Sequence, residues 1–191
     1  MIDLERVAQF QLGELDAFEA LMRGESARML GFIRRYVRSA ELADDIFQEV
    51  CIRVWKNRAQ LKNRSRFRSW MYQIARNAIF DQLKSEDWRL EIEFYGDEVT
   101  ALTSVRDSIK EPRQQAALRE WNRIVSAEIR KLDPKSQEIV ALHFAAGLNL
   151  REAADALNMK HSTLRSRLCR ILRQLRRSLE QKGIQSGILK P

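Results

Sequence analysis

At 191 residues the chain has room for one ordinary domain or two small ones, and 45% hydrophobic residues supply a core, which excludes a disordered chain. Lys and Arg number 34 against 26 Asp and Glu, and the net charge of +8 favours a polyanionic partner, either nucleic acid or an acidic membrane surface. Seven Gly and three Pro leave few turn signals, which argues against a sheet-rich fold and for an all-α class.

Apolar positions recur at three- and four-residue spacing through Phe18, Leu21, Met22, Met29, Leu30, Ile33, Tyr36 and Val37. The same stripe returns over Ile46, Phe47, Val50, Val54 and Trp55, and again over Phe67, Trp70, Met71, Ile74, Ala75, Ile79 and Leu83. Such stripes mark amphipathic helices packed in a bundle, and residues 1–85 are expected to form a first helical domain, with Trp70 in its core.

Within it, Asp44, Asp45, Gln48 and Glu49 fall on successive turns of one helix. Paired carboxylates could hold a divalent ion, but no His, Lys or Ser stands where it would complete a catalytic site, so neither metal nor enzyme activity is expected. Docking on a basic protein partner explains the set better. Downstream, Arg53, Lys56, Arg58, Lys62, Arg64, Arg66, Arg68 and Arg76 surround Trp55, Phe67, Trp70 and Tyr72. Cations interleaved with aromatics suit single-stranded nucleic acid, and the polar run Lys62, Asn63, Arg64, Ser65 and Arg66 cannot be core.

Residues 86–112 then carry eight acidic residues against three basic, and Gly96 interrupts a fading periodicity. An acidic, flexible linker joining two small helical domains is expected there. The helical pattern resumes through Leu118, Trp121, Ile124, Val125, Ile129 and Leu132, stops at Asp133 and Pro134, and restarts over Ile139, Val140, Leu142 and Phe144. Asp133 suits a helix N-cap with Pro134 in the first turn. Gly147 closes that helix, Asn149 can cap a short one running to Asn158, and a long basic helix follows, the outline of a helix-turn-helix within 113–191.

On that last helix Leu164, Leu168, Ile171, Leu172, Leu175 and Leu179 share one sector, and the opposite surface is almost purely cationic. Such charge density repels itself and becomes favourable when phosphates displace counterions. The first residues of the second helix read base edges in this motif, so Lys160, His161, Ser162, Thr163, Arg165 and Ser166 are the candidate readers. Arg167, Arg170, Arg173 and Arg176 suit phosphate or partner contacts.

The two cysteines, Cys51 and Cys169, lie far apart inside helical patterns and form neither a disulfide framework nor a metal motif. No apolar run is long enough to span a bilayer, and Asp3 and Glu5 stand where a signal peptide would be basic. A reduced, cytoplasmic setting without membrane insertion is expected.

Two runs carry a family resemblance. Residues 43–55 (ADDIFQEVCIRVW) and 67–77 (FRSWMYQIARN), with Asp81, resemble region 2 of bacterial sigma-70 factors, and residues 147–157 (GLNLREAADAL) with 162–170 (STLRSRLCR) resemble region 4. Their order and short spacing are similar to the extracytoplasmic-function (ECF) subgroup. The resemblance implies an RNA polymerase sigma factor that needs no cofactor and initiates transcription at specific promoters.

It further implies that Asp44, Asp45, Gln48, Glu49, Arg53 and Trp55 dock on the clamp helices of core polymerase. Lys62, Asn63, Arg64, Ser65 and Arg66, with Arg76 and Asn77, would melt and read the minus-10 element. Lys160, His161, Ser162, Thr163, Arg165, Ser166, Arg167 and Arg170 would bind the minus-35 duplex, while region 4 also meets the polymerase flap. Ser162 replaces the usual Gly of the family, and Lys160 and His161 also depart from its pattern. By analogy, an anti-sigma factor, often membrane-anchored, controls such a stress- or signal-responsive protein. A conventional helix-turn-helix repressor or activator is the alternative within DNA binding.

Overall fold

The structure, a computed structural model, describes residues 3–37, 39–85 and 112–182, with the side chains at 84–85 and 112–119 left aside. All of the expected acidic linker except Pro112 lies outside the described residues. Among the described residues there are eight α-helices and no strand.

The first helix, α1 (Leu4–Leu12), precedes the start of the apolar periodicity. It is set by its ends: Asp3 Oδ1 accepts from the backbone N–H of Glu5 and Arg6, and Gly13 reverses the chain at φ 94°. The long helix α2 (Leu15–Ile33) follows and packs on it, then come α3 (Ala40–Lys56), capped by Ser39, and α4 (Phe67–Ser85).

Val7 and Phe10 of α1 are fully buried. Phe10 meets Phe18 of α2 at 5.8 Å and Phe67 of α4 at 5.7 Å between ring centroids, and Phe18 meets Trp55 of α3 at 5.2 Å. This aromatic knot ties four helices, and each buried ring contributes about 2–3 kcal/mol. Beyond it Phe32, Ile33, Val50, Val54, Met71 and Ile79 complete the core. Trp70 differs from expectation: its indole is only half-buried, at the edge of that core.

The second half comprises α5 (Pro112–Ile129), α6 (Pro134–Val140), α7 (Leu150–Ala156) and α8 (His161–Gln181). Asp133 caps α6 as expected, accepting from Ser136 N–H at 3.1 Å. A five-residue π-helical stretch, Ala141–Ala145, then widens the helix before Gly147, at φ 64°, turns the chain. Asn149 accepts from Arg151 and Glu152 N–H while Glu152 accepts from Asn149 N–H, a complete capping box for the seven residues of α7.

Glu128 of α5 is nearly buried and accepts from Lys131 at 2.9 Å, Lys182 at 2.6 Å and Ser178 Oγ at 2.5 Å, which ties α5 to the end of α8. The hydrogen bonds from Lys182 and Ser178 lower its carboxyl to about 2, against the burial that would raise it. The two halves touch, α4 lying against α7 and α2 against the π-helical stretch.

Candidate nucleic-acid interface

The cationic face of α8 depends on an apolar sector on its other side. Leu164, Leu168, Ile171, Leu175 and Leu179 are buried at four- and three-residue intervals, and Leu172 is half-buried at the sector's edge. Their burial forces Ser162, Thr163, Arg165, Ser166, Cys169, Arg170, Arg173 and Arg177 outward, where all are exposed. Between α7 and α8 the chain turns at Asn158, φ 50°, a conformation that Asn tolerates better than most side chains. Met159 N–H closes the turn on Ala154 O at 2.8 Å.

Lys160 is the N-cap of α8 and makes no side-chain cap bond; it and His161 are exposed at the helix start. Arg167 differs from its neighbours, since it is half-buried and lies 3.8 Å from Asp133, so part of its charge serves the domain.

The second cationic surface heads α4. Asn63 Oδ1 accepts from Ser65 N–H at 3.0 Å and Ser65 Oγ at 2.7 Å, folding residues 64–66 into one 3-10 turn. Gln11 of α1 fixes this turn, donating to Leu61 O at 2.7 Å and accepting from Arg64 Nε at 2.7 Å. Sequence reasoning missed Gln11, because partners 50 and 53 residues apart leave no periodic signal. Lys62, Asn63, Arg64, Ser65 and Arg66 are all exposed.

Arg76 and Asn77, adjacent in sequence, diverge. Asn77 is exposed on α4, whereas Arg76 turns toward the second half, where it is bonded to the buried Glu138 and lies 4.9 Å from the Phe80 ring centroid. The charge of Glu138, after burial itself, pushes the Tyr36 hydroxyl above its ordinary value.

A third surface lies on α3. Asp44, Asp45, Gln48 and Glu49 are exposed there, Asp44 lying 3.8 Å from Arg34 and Glu49 2.7 Å from Arg53. Arg53 also reaches Asp81 of α4 at 2.7 Å, and these two hydrogen bonds raise its pKa further. Trp55 is placed otherwise: half-buried, it packs on Phe10 and Phe18 with the Arg58 guanidinium 4.6 Å from its ring centroid. Ile52, 47% exposed, lies one turn after Gln48 on the carboxylate-bearing side, an apolar contact that the buried-stripe pattern does not reveal. Among the described residues no group of three His, Cys, Asp or Glu could hold a metal ion.

The family model for sigma-70 region 2 matches residues 21–89, and the model for sigma-70 region 4 matches residues 122–175. The chain belongs to the sigma-70 family. Both helical halves of this sigma factor are thus accounted for, in the order expected of the family.

Its relatives are ECF sigma factors, and it groups with them. It is 31% identical over 180 residues to the ECF RNA polymerase sigma factor BldN of Streptomyces coelicolor, a match covering 92% of this chain and 65% of BldN. With the ECF RNA polymerase sigma factor SigW of Bacillus subtilis it shares 27% over 183 residues, covering 94% of this chain and 97% of SigW. The solved structure of CnrH in complex with the cytosolic domain of CnrY matches with a TM-score of 0.64 at 20% identity, over 94% of this chain and 99% of that one. That likeness is one of fold.

Proposed function

We propose that this sigma factor directs core RNA polymerase to specific promoters and starts transcription there, supplying recognition while the polymerase supplies the chemistry. The observation that carries the reading is the helix-turn-helix, with Ser162, Thr163, Arg165 and Ser166 exposed at the first turns of a helix whose outer face is cationic. Residues 113–191 bind the minus-35 duplex, with Lys160, His161, Ser162, Thr163, Arg165 and Ser166 at base edges and Arg167 and Arg170 on phosphates.

Residues 1–85 hold the polymerase and the melted strand. Asp44, Asp45, Gln48 and Glu49, joined by Ile52, face the clamp helices, with Arg53 orienting Glu49 and Trp55 supporting the helix from behind. Lys62, Asn63, Arg64, Ser65, Arg66, Arg76 and Asn77 engage the minus-10 strand, where cations and amides meet unstacked bases. The acidic stretch between the two halves, residues 86–112, serves as the segment that runs toward the RNA exit channel.

The likeness to CnrH, which is solved with the cytosolic domain of CnrY, supports control by an anti-sigma partner that can be membrane-anchored. A partner in core polymerase fits a cytoplasmic location, and no helix among the described residues is long and apolar enough to cross a membrane. Adding the chain to core polymerase and a supercoiled promoter template tests the reading: transcripts above those of core alone are expected, and their absence refutes it.

A further inference from the structure

The exposed run 62–66 is strung between two buried residues. Leu61 is 4% exposed, and Phe67 is fully buried against Phe10 of α1, so both ends of the loop are fixed in the core. The middle of the loop has its own Asn63 turn and a brace from Gln11. Gln11 follows Phe10 directly, about 100° around α1 from the buried side, and is half-buried at the edge of that helix. Its Nε2 donates to Leu61 O at 2.7 Å, and its Oε1 accepts from Arg64 Nε at 2.7 Å. These partners settle which way the amide points: turned over, it would set two acceptors together at Leu61 and two donors together at Arg64.

Arg64 is held differently from the other arginines of this region. Arg68, with 14% of its side chain exposed, enters a socket formed by Glu25 at 3.0 Å, Glu152 at 3.2 Å and the carbonyl oxygens of Ala146 at 3.0 Å and Gly147 at 3.2 Å. Arg66 lies 3.5 Å from Asp155, and Arg53 reaches Glu49 and Asp81. A carboxylate fixes a guanidinium and also offsets its charge. The neutral amide of Gln11 fixes Arg64 and leaves the charge whole, and no carboxylate pairs with Arg64 among the described residues.

We propose that Gln11 is a positioning residue for the minus-10 surface: anchored on the buried Leu61, it aims the Arg64 guanidinium, with its full charge, at the phosphate backbone of an unpaired strand. The inference rests on the promoter reading above. An exposed arginine samples many rotamers, and a strand that binds it must freeze them. Holding one of them beforehand removes that loss from binding. Gln11 takes only the Nε donor, so the N–H groups on both Nη atoms remain for phosphate oxygens.

The test uses holoenzyme reconstituted from core polymerase and the full chain. The probe is a fluorescein-labelled single-stranded oligonucleotide bearing the minus-10 element of a promoter that the wild-type holoenzyme selects from genomic fragments. Gln11→Leu removes both hydrogen bonds and is expected to lower strand affinity about tenfold, while affinities for core polymerase and the minus-35 duplex stay within about twofold. Arg64→Ala should lose at least as much, and adding Gln11→Leu to it should cost nothing further, because Gln11 acts through Arg64. Gln11→Glu keeps an acceptor for Arg64 but pairs its charge, so it should weaken strand binding and reduce the salt slope of log K by about 0.7. In the free, 15N-labelled chain the Arg64 Nε–H should be shielded from solvent exchange in the wild type and in Gln11→Glu, and should exchange freely in Gln11→Leu.

Unchanged strand affinity in Gln11→Leu overturns the proposal. So does a further loss on top of Arg64→Ala, or an equal fall in minus-35 binding, which would make Gln11 a general support of the fold. Thermal unfolding checks that the variants fold, and if Gln11→Leu does not, the salt slope of Gln11→Glu decides: an unchanged slope overturns the role. An Arg64 Nε–H that exchanges freely in the wild type overturns it without reference to DNA. A wild-type holoenzyme that takes up no strand while this N–H is shielded means that the promoter reading has failed, and the positioning role falls with it although the brace itself stands.

Discussion

Replacing Glu128 by Gln removes a charge that the second half of the molecule is built to hold. The carboxylate is 2% exposed and accepts from Lys131, Lys182 and Ser178. Its carboxyl is lowered from 4.5 to about 2, which corresponds to an upper limit of about 3 kcal/mol at neutral pH. Both lysines are partly in solvent, with side chains 63% and 45% exposed. Screening there brings the expected loss for Glu128→Gln to about 2 kcal/mol.

The sign follows from the direction of the shift. A carboxyl depressed in the folded state stabilises fully above its unfolded pKa and loses that contribution as pH falls toward the folded one. The wild-type advantage over Glu128→Gln should therefore be complete above pH 5 and shrink by about half by pH 3. Urea unfolding at both pH values, followed by circular dichroism, measures it. An advantage unchanged between them, or absent at neutral pH, would refute the reasoning.

Arg165→Ala should weaken minus-35 duplex binding by about 1–3 kcal/mol and relax preference at one base position, whereas Arg170→Ala should lower the salt slope of log K by about 1 with sequence preference unchanged. Fluorescence anisotropy over a salt series separates the two. Asn77→Ala should reduce promoter opening, read by permanganate reactivity of unpaired thymines, more than it reduces duplex binding; equal losses contradict the strand-reading assignment. Phe10→Ala, at the centre of the aromatic knot, should cost about 3–5 kcal/mol in thermal or chemical unfolding.

What the sequence revealed follows from how each feature is encoded. The buried sector of α8, the Asp133 and Asn149 caps and the turn at Asn158 are local, set by residues within four positions of one another, and periodicity and capping rules found them. Helix α1 escaped because it buries only Val7 and Phe10, too few for a stripe, although Asp3 and Gly13 marked its ends. Trp70 fits core spacing on α4, but spacing gives a direction on the helix and not the depth of what covers it.

The socket of Arg68 was not legible at all. Its partners lie 43 to 84 residues away, and no pattern on α4 separates a guanidinium bound for solvent from one bound for Glu25 and Glu152. Burial of Glu138 is equally silent, because hydropathy marks that position as surface.

The most direct measurement is a run-off transcription assay with core polymerase, the full chain and promoters selected from genomic fragments by the reconstituted holoenzyme. Discrete transcripts are expected whose start sites share minus-10 and minus-35 elements, lost on Asn77→Ala and Arg165→Ala substitution together. A chain that binds these fragments without core polymerase, and yields no transcript with it, would contradict the assignment and leave a conventional DNA-binding regulator.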